Sequence, residues 1–143
     1  MRIGDLLERK GSAVVTIDGG ATVAEAIADL ARHGIGALVV SADGEHIDGI
    51  VSERDIVRHL DRERNDLLER PVRAIMSTPV HTADPADEVG TVMATMTNER
   101  VRHLPVIRDG TLVGIVSIGD VVKHTIEQLE RDRKLLEDYI AAR

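Results

Sequence analysis

Ser52 and Asp55 stand three residues apart in GIVSERD (residues 49–55), and Ser117 and Asp120 repeat that spacing in GIVSIGD (114–120). At the start of a helix, such a pair can serve the helix itself. The hydroxyl accepts from a backbone N–H that has no partner in the helix, and the carboxylate sits near the positive end of the dipole. The same atoms also suit a ligand. A helix N-terminus facing a cleft offers free N–H groups to an anion. A carboxylate at that place repels a phosphate, yet it accepts two hydrogen bonds from the vicinal hydroxyls of a ribose. The pattern therefore fits a helix cap and a nucleoside with a phosphate tail alike, and spacing alone does not separate them.

The elements that position these residues are themselves duplicated. Thr16–Asp55 aligns with Thr82–Asp120, with a shift of 66 residues up to the Asp-Gly pairs (43–44 and 109–110) and of 65 beyond them. The match extends backwards, with IGDLL at Ile3 corresponding to VRAIM at Val72. Nearly the whole chain is thus two copies of one unit. Each unit reads β-α-β-β-α. Its first strand is AVVTI from Ala13 or PVHTA from Pro79. The helix that follows carries Val23, Ala26, Ile27, Leu30 and Ala31 in one copy, and Val89, Val92, Met93 and Met96 in the other, at helical spacing. Thr22 and Glu25 form a capping box before the first of these helices. A middle strand (ALVV, LPVI), an Asp-Gly hairpin turn and a strand ending in GIV come next. The second helix is expected to turn Ile56, Val57 and Leu60 inward, and in the other copy Val121, Val122 and Ile126. Residues 61–71, DRERNDLLERP, join the copies as a charged linker. A unit of about 50 residues buries its own core poorly, so the two copies are expected to pack about a pseudo-twofold axis, leaving two related clefts between them. The division is 1–70 for the first unit with its N-terminal segment and linker, 71–126 for the second, and 127–143 for a C-terminal helical extension.

Composition excludes several classes. The net charge is −7, with 25 acidic and 18 basic residues, which is the wrong sign for a nucleic-acid phosphate footprint. There is no Phe or Trp and one Tyr, so no aromatic platform stacks bases. There is no Cys, so disulfides, thiolate zinc sites and a Cys nucleophile are excluded. Six scattered His residues show no ligand spacing for a metal, and no nucleophile-elbow glycines accompany a Ser-His-Asp set. MRIGDLLERKGS lacks the apolar run of a signal peptide, and no stretch reaches the ~20 apolar residues of a membrane span. The expectation is a cytoplasmic protein that is not an enzyme, with no resident metal or required cofactor, no membrane and no nucleic-acid partner.

The doubled G-h-x-S-x-x-D, each copy closing a β-α-β-β-α unit, with RHLPV in the middle of the second, strongly resembles the cystathionine β-synthase (CBS) domain over about residues 3–126. A tandem pair of these is a Bateman module. The chain is similar to a stand-alone pair with no catalytic domain attached. The resemblance implies an α/β (α+β) fold and an adenosine ligand of the AMP, ADP or ATP class between the copies. It also implies ligand-dependent signalling to a regulated protein, and a homodimer. The competing reading is a structural or stress-related interaction protein with the same fold and empty clefts.

By resemblance, Asp55 and Asp120 hold ribose hydroxyls, Ser52 and Ser117 contact ribose or phosphate, and Thr16 and Thr82 line the adenine pocket. Each cleft draws its Asp from one copy and its middle strand from the other. Arg102 and His103 then share a cleft with Ser52, Arg54 and Asp55, while Gly36 and Ala37 share one with Ser117, Gly119 and Asp120. The first cleft gains Arg54, Arg102 and His103 as phosphate partners, and Arg suits phosphate through its bidentate geometry. The second shows no cation and is expected to stay empty or to take a less charged ligand. Adenine would lie between aliphatic walls such as Ile35, Val101, Ile50 and Ile115. The tail, KHTIEQLERDRKLLEDYIAAR from Lys123, has no Gly or Pro and carries Ile126, Leu129, Leu136, Tyr139 and Ile140 near one face, with Glu130 and Lys134 as an i, i+4 pair. It reads as a helix whose apolar stripe covers its own chain or meets a second subunit.

Overall fold

The computed structural model describes residues 1–143. The elements run α1 (Ile3–Lys10), β1 (Thr16–Ile17), α2 (Val23–His33), β2 (Ala37–Val40), β3 (Gly49–Ser52), α3 (Glu53–Glu63), α4 (Val89–Glu99), β4 (His103–Arg108), β5 (Thr111–Ser117) and α5 (Ile118–Ala141). Two 3-10 segments, Arg64–Glu69 and Val72–Ala74, join the halves. No helix is long and apolar enough to cross a membrane.

The two units share one plan, as the repeat requires. In the first, β1 runs parallel to β2 and β2 antiparallel to β3. In the second, β4 and β5 pair antiparallel. PVHTA does not form a strand there; it is reduced to a single parallel bridge, Ala83 to Val106, at the place where Ile17 meets Val40 in the first unit. Asp109 and Gly110 both take positive φ and close a two-residue hairpin between Arg108 and Thr111, as their types favour. Asp43-Gly44 does not do the same. β2 ends at Val40 and β3 begins at Gly49, and the loop between them is organised by the Asp43 carboxylate, which accepts from the N–H groups of Glu45 and His46. An Asp-Gly pair signals a turn; the residues around it set the loop length.

Each unit's core is completed by the segment that precedes the other unit. Ile3, Leu6 and Leu7 of α1 are buried with Val89, Val92, Met96, Leu104, Val106, Val116 and Val121 of the second unit. Leu67, Val72 and Ile75 are buried with Ile17, Val23, Leu30, Leu38 and Val51 of the first. The backbone repeats this exchange. Ile3 N–H donates to Asp87 and Gly4 N–H to Pro85, while Val72 N–H donates to Ala21 and Arg73 N–H to Gly19. Residues 61–71 are largely exposed, as a charged linker should be, but Leu67 is fully buried and ties the stretch to the first core.

α2 follows its cap: Thr22 Oγ1 accepts from Glu25 N–H at 3.1 Å and Glu25 returns the bond at 2.9 Å. Its stripe is narrower than the sequence pattern, because Val23, Ala26 and Leu30 are buried while Ile27 and Ala31 face outward. Val57, Leu60, Val122 and Ile126 are also exposed, against the expectation that they face in. α3 buries only Asp55 and Ile56, since one sheet face covers about a third of a helix. α5 continues without a break for 24 residues, and beyond Thr125 its Leu129, Leu135, Leu136, Tyr139 and Ile140 all stand in solvent. On this segment Arg133 and Glu137 form the i, i+4 pair, in place of Glu130 and Lys134.

The exchanged segments are predicted to be core in energetic terms. Ile3→Ala, two residues from the N-terminus, is expected to cost about 2–4 kcal/mol in urea unfolding at unchanged slope. A loss below about 0.5 kcal/mol, the level of a frayed terminus, would contradict the exchange.

Candidate nucleotide clefts

Both Ser-x-x-Asp pairs do cap helices. Ser52 Oγ accepts from Asp55 N–H at 3.2 Å and Asp55 Oδ2 accepts from Ser52 N–H at 2.9 Å. Ser117 and Asp120 make the same two bonds at 3.1 and 2.9 Å. In each copy the N–H of the first helical residue is bonded within its own unit, Glu53 to the Gly36 carbonyl and Ile118 to the Arg102 carbonyl. These bonds pin the N-terminus of α3 or α5 to the start of a middle strand. The cap leaves capacity on each carboxylate, and both caps open onto clefts between the units.

The first cleft, about 490 Å³, is lined by Ser52, Arg54 and Asp55 from one unit and Val101, Arg102 and His103 from the other. These are the residues expected together there. Five residues not expected there join them, Glu53, Arg58, Ser77, Glu99 and Arg100, and Gly36 lines this cleft as well as the second. Arg58 lies one turn beyond Arg54 on α3, so helical spacing could have found it. Ser77 arrives by the exchange: its backbone pairs with Ile50 in both directions, at 3.2 and 2.8 Å, along the free edge of β3. Its Oγ then donates to Asp55 Oδ1 at 3.0 Å. Asp55 is nearly buried, with both oxygens engaged. Four arginines face three carboxylates (Glu53, Asp55, Glu99) around this cleft, so its balance is cationic.

Arg100 has a backbone feature of its own. It takes φ 54°, ψ 39° at the C-cap of α4. The corresponding residue after α2 is Gly34, at φ 62°, ψ 40°, the usual choice for that conformation. A non-glycine residue there costs on the order of 1 kcal/mol, and it places a guanidinium on the first cleft only.

The second cleft, about 400 Å³, is lined by Gly36 and Ala37 of one middle strand, Ser117 and Asp120 of the other unit, and Ala13, Val14 and Val15 before β1. It is not free of cations, contrary to expectation. Lys10, at the end of α1, donates from Nζ to Asp120 Oδ2 at 2.6 Å and to the Ile115 carbonyl at 2.8 Å. No local pattern points to this pair, because the partners lie 110 residues apart in sequence. Burial pushes the Asp120 carboxyl up, but the bonds from Lys10 and Ser117 outweigh it and hold the group below the usual carboxylate range.

His103 lines both clefts rather than the first alone. It stands against Gly36, where an added Cβ would lie 3.3 Å from its Cε1. The two middle strands therefore meet at Gly36 and His103, close to the pseudo-twofold axis. Burial lowers the imidazole pKa, the Asp120 charge opposes that and Lys10 adds to it, leaving His103 below its ordinary value. The apolar walls divide by cleft, Ile50 and Val101 in the first, Ile35 and Ile115 in the second. Thr16, Thr82 and Gly119 are absent from the lining of either cleft; Thr82 is exposed on a segment with no regular structure. Away from the clefts, Asp43, Glu45 and His46 cluster on the surface, where the Asp43 carboxylate is occupied by its loop N–H groups and by the His46 ring at 2.6 Å.

The comparisons with known proteins agree with this arrangement. The family model described as the CBS domain matches twice, over residues 3–62 and 72–127. A mitochondrial CBS domain-containing protein from Arabidopsis thaliana is 34% identical over 148 residues, covering 96% of this chain and 71% of the relative. The crystal structure of a CBS-domain-containing protein from Agrobacterium tumefaciens superposes with a TM-score of 0.84 at 40% identity, covering 87% of this chain and 99% of that one. A CBS domain protein from Pyrobaculum aerophilum, solved in complex with AMP, superposes with a TM-score of 0.74 at 31% identity, covering 84% and 89%. With two repeats, two exchanged cores and two capped helices opening on clefts between the units, this chain belongs to the CBS domain family as a CBS pair.

Proposed function

We propose that the protein is a regulatory CBS pair, without catalytic activity, that binds an adenosine nucleotide of the AMP, ADP or ATP class in the first cleft and passes its occupancy to a partner protein. The observation that carries this reading is the meeting, in one cleft, of a nearly buried carboxylate (Asp55) with four arginines (54, 58, 100, 102) from two different units. Asp55 matches a ribose diol, with Ser77 Oγ as the hydroxyl that a diol replaces. The arginines match phosphate, and Ile50 and Val101 give adenine an aliphatic slot. The AMP complex of the Pyrobaculum relative supports the ligand class. The strained backbone of Arg100 supports the site as well, because such strain collects at binding positions.

A ligand held by Asp55 on one unit and Arg102 on the other bridges the two, so its binding energy acts on their relative placement. Homodimerisation belongs to the same reading. Ile27, Val57 and Leu60, Val122 and Ile126, and the whole stripe of α5 are exposed apolar side chains, more than an isolated chain ordinarily leaves in water. A two-fold pairing of helices through these residues covers them.

Four outcomes are expected. Melting with about 1 mM AMP is expected to raise the midpoint by several degrees, and Asp55→Ala, or the milder Asp55→Asn, to weaken AMP at least about tenfold through loss of the diol bonds. A wild-type midpoint indifferent to adenosine nucleotides would move the assignment to an interaction protein with empty clefts. Arg100→Gly is expected to stabilise the free protein by about 0.5–1 kcal/mol while weakening AMP severalfold; loss of both together would show that Arg100 serves only the fold. Light scattering is expected to give twice the mass of one chain, falling to a single chain when Leu129 and Leu136 are both changed to Glu; a monomeric wild type would remove the dimer from the account.

A further inference from the structure

The two clefts treat their carboxylates differently. At the first, Ser77 supplies two donors: its N–H to the Ile50 carbonyl and its Oγ to Asp55. At the second, the corresponding acceptors are the Ile115 carbonyl and Asp120, and the single ammonium of Lys10 serves both. Each donor comes from the segment exchanged into that unit. A neutral hydroxyl thus stands on one diol site and a full positive charge on the other.

That difference has a chemical consequence. A ribose that takes Asp120 competes with Lys10 for it. Lys10 is about 30% exposed and Asp120 about 26%, so the pair is partly shielded, and breaking it leaves the ammonium at the cleft without its counter-charge. The adjoining recess, lined by Arg9, Lys123, His124 and Glu127, offers two further cations and one carboxylate. On the other side, burial disfavours the charged form of His103. The partner that restores the ammonium's balance is therefore an anion brought by the ligand itself.

Resting on the nucleotide-binding reading above, we propose that Lys10 is the specificity-determining residue of the second cleft: it admits a nucleoside that carries an anionic group next to its ribose, such as a 5′-phosphate, and disfavours the uncharged nucleoside. An AMP-like ligand exchanges the Lys10–Asp120 pair for a diol–Asp120 contact and a phosphate–Lys10 contact. Adenosine makes the first contact and leaves the ammonium stranded. Lys10 positions nothing catalytic; its effect is on the ratio of the two affinities.

The test is calorimetric titration of the full chain with AMP and with adenosine, in an Asp55→Ala background that weakens the first cleft at least about tenfold, with and without Lys10→Met. The expected result has opposite signs. Adenosine binds about three- to fivefold more tightly once the competing ion pair is gone, AMP binds more weakly by about tenfold, and the preference for AMP collapses towards unity. Loss of folding moves both affinities in the same direction and does not produce this crossing. If Lys10→Met melts too low for titration, Lys10→Gln removes the charge while keeping a donor for Ile115, and is expected to show the same crossing. An unchanged ratio, or parallel changes for the two ligands, overturns the assignment of Lys10. If the wild type binds AMP and Asp55→Ala binds neither ligand, the second cleft is not a site, and the inference falls while the first-cleft reading stands. If the wild type itself binds neither ligand, both fall.

Discussion

Burial of Ile3 and Val72, each in the core of the opposite unit, is the constraint from which the rest of the architecture follows. A unit of about 50 residues with two thin sheets cannot remove enough apolar surface from water by itself. The chain answers by exchanging the segments that lead into each unit, so that neither half is complete without the other. The exchange fixes the relation of the units across the pseudo-twofold axis. It also delivers Ser77 to Asp55 and Lys10 to Asp120, because those residues stand at the ends of the exchanged segments. Core packing and cleft chemistry are therefore set by the same stretches of chain.

Duplication makes the clefts alike and substitution at a few matched positions makes them different. Gly34 and Arg100 share one left-handed backbone position, yet only one of them brings charge. Gly36 corresponds to Arg102, so one middle strand carries no side chain where the other carries a guanidinium, and His103 packs against that glycine. Ser77 and Lys10 serve corresponding acceptors with unlike charge. The result is one cleft rich in guanidinium groups and a second balanced around a single ion pair. The two clefts share a wall at His103 and differ in charge.

Much of this was legible in the sequence because it is encoded by local rules. The Thr22–Glu25 cap, the Asp109-Gly110 turn and the two Ser-x-x-Asp caps each depend on residues within a few positions of one another, and the 66-residue repeat is visible because it writes such local patterns twice. The resemblance carried by those motifs also grouped Ser52, Arg54 and Asp55 with Arg102 and His103. What escaped was set by distance. Lys10 meets Asp120 across 110 residues, and Ser77 meets Asp55 only because a strap returns along β3. Inward and outward faces failed for a related reason: Val57, Leu60, Val122 and Ile126 lie at apolar spacing, but each helix has one sheet to cover it, and a helical stripe can be addressed to another subunit as readily as to its own core. Thr16 and Thr82 rest on the family pattern, and neither stands in the lining of a cleft: Thr16 begins the two-residue β1, and Thr82 lies on a segment with no regular structure.

The central claim is that Asp55 holds the ribose of an adenosine nucleotide while arginines from both units hold its phosphate. The most direct measurement is the crystal structure of the protein grown with AMP. The account predicts nucleotide in the first cleft, with both ribose hydroxyls on Asp55, Ser77 Oγ turned away, and phosphate among Arg54, Arg100 and Arg102. AMP bound with its ribose elsewhere, or an Asp55 still bonded to Ser77 beside an empty cleft at saturating AMP, would contradict it.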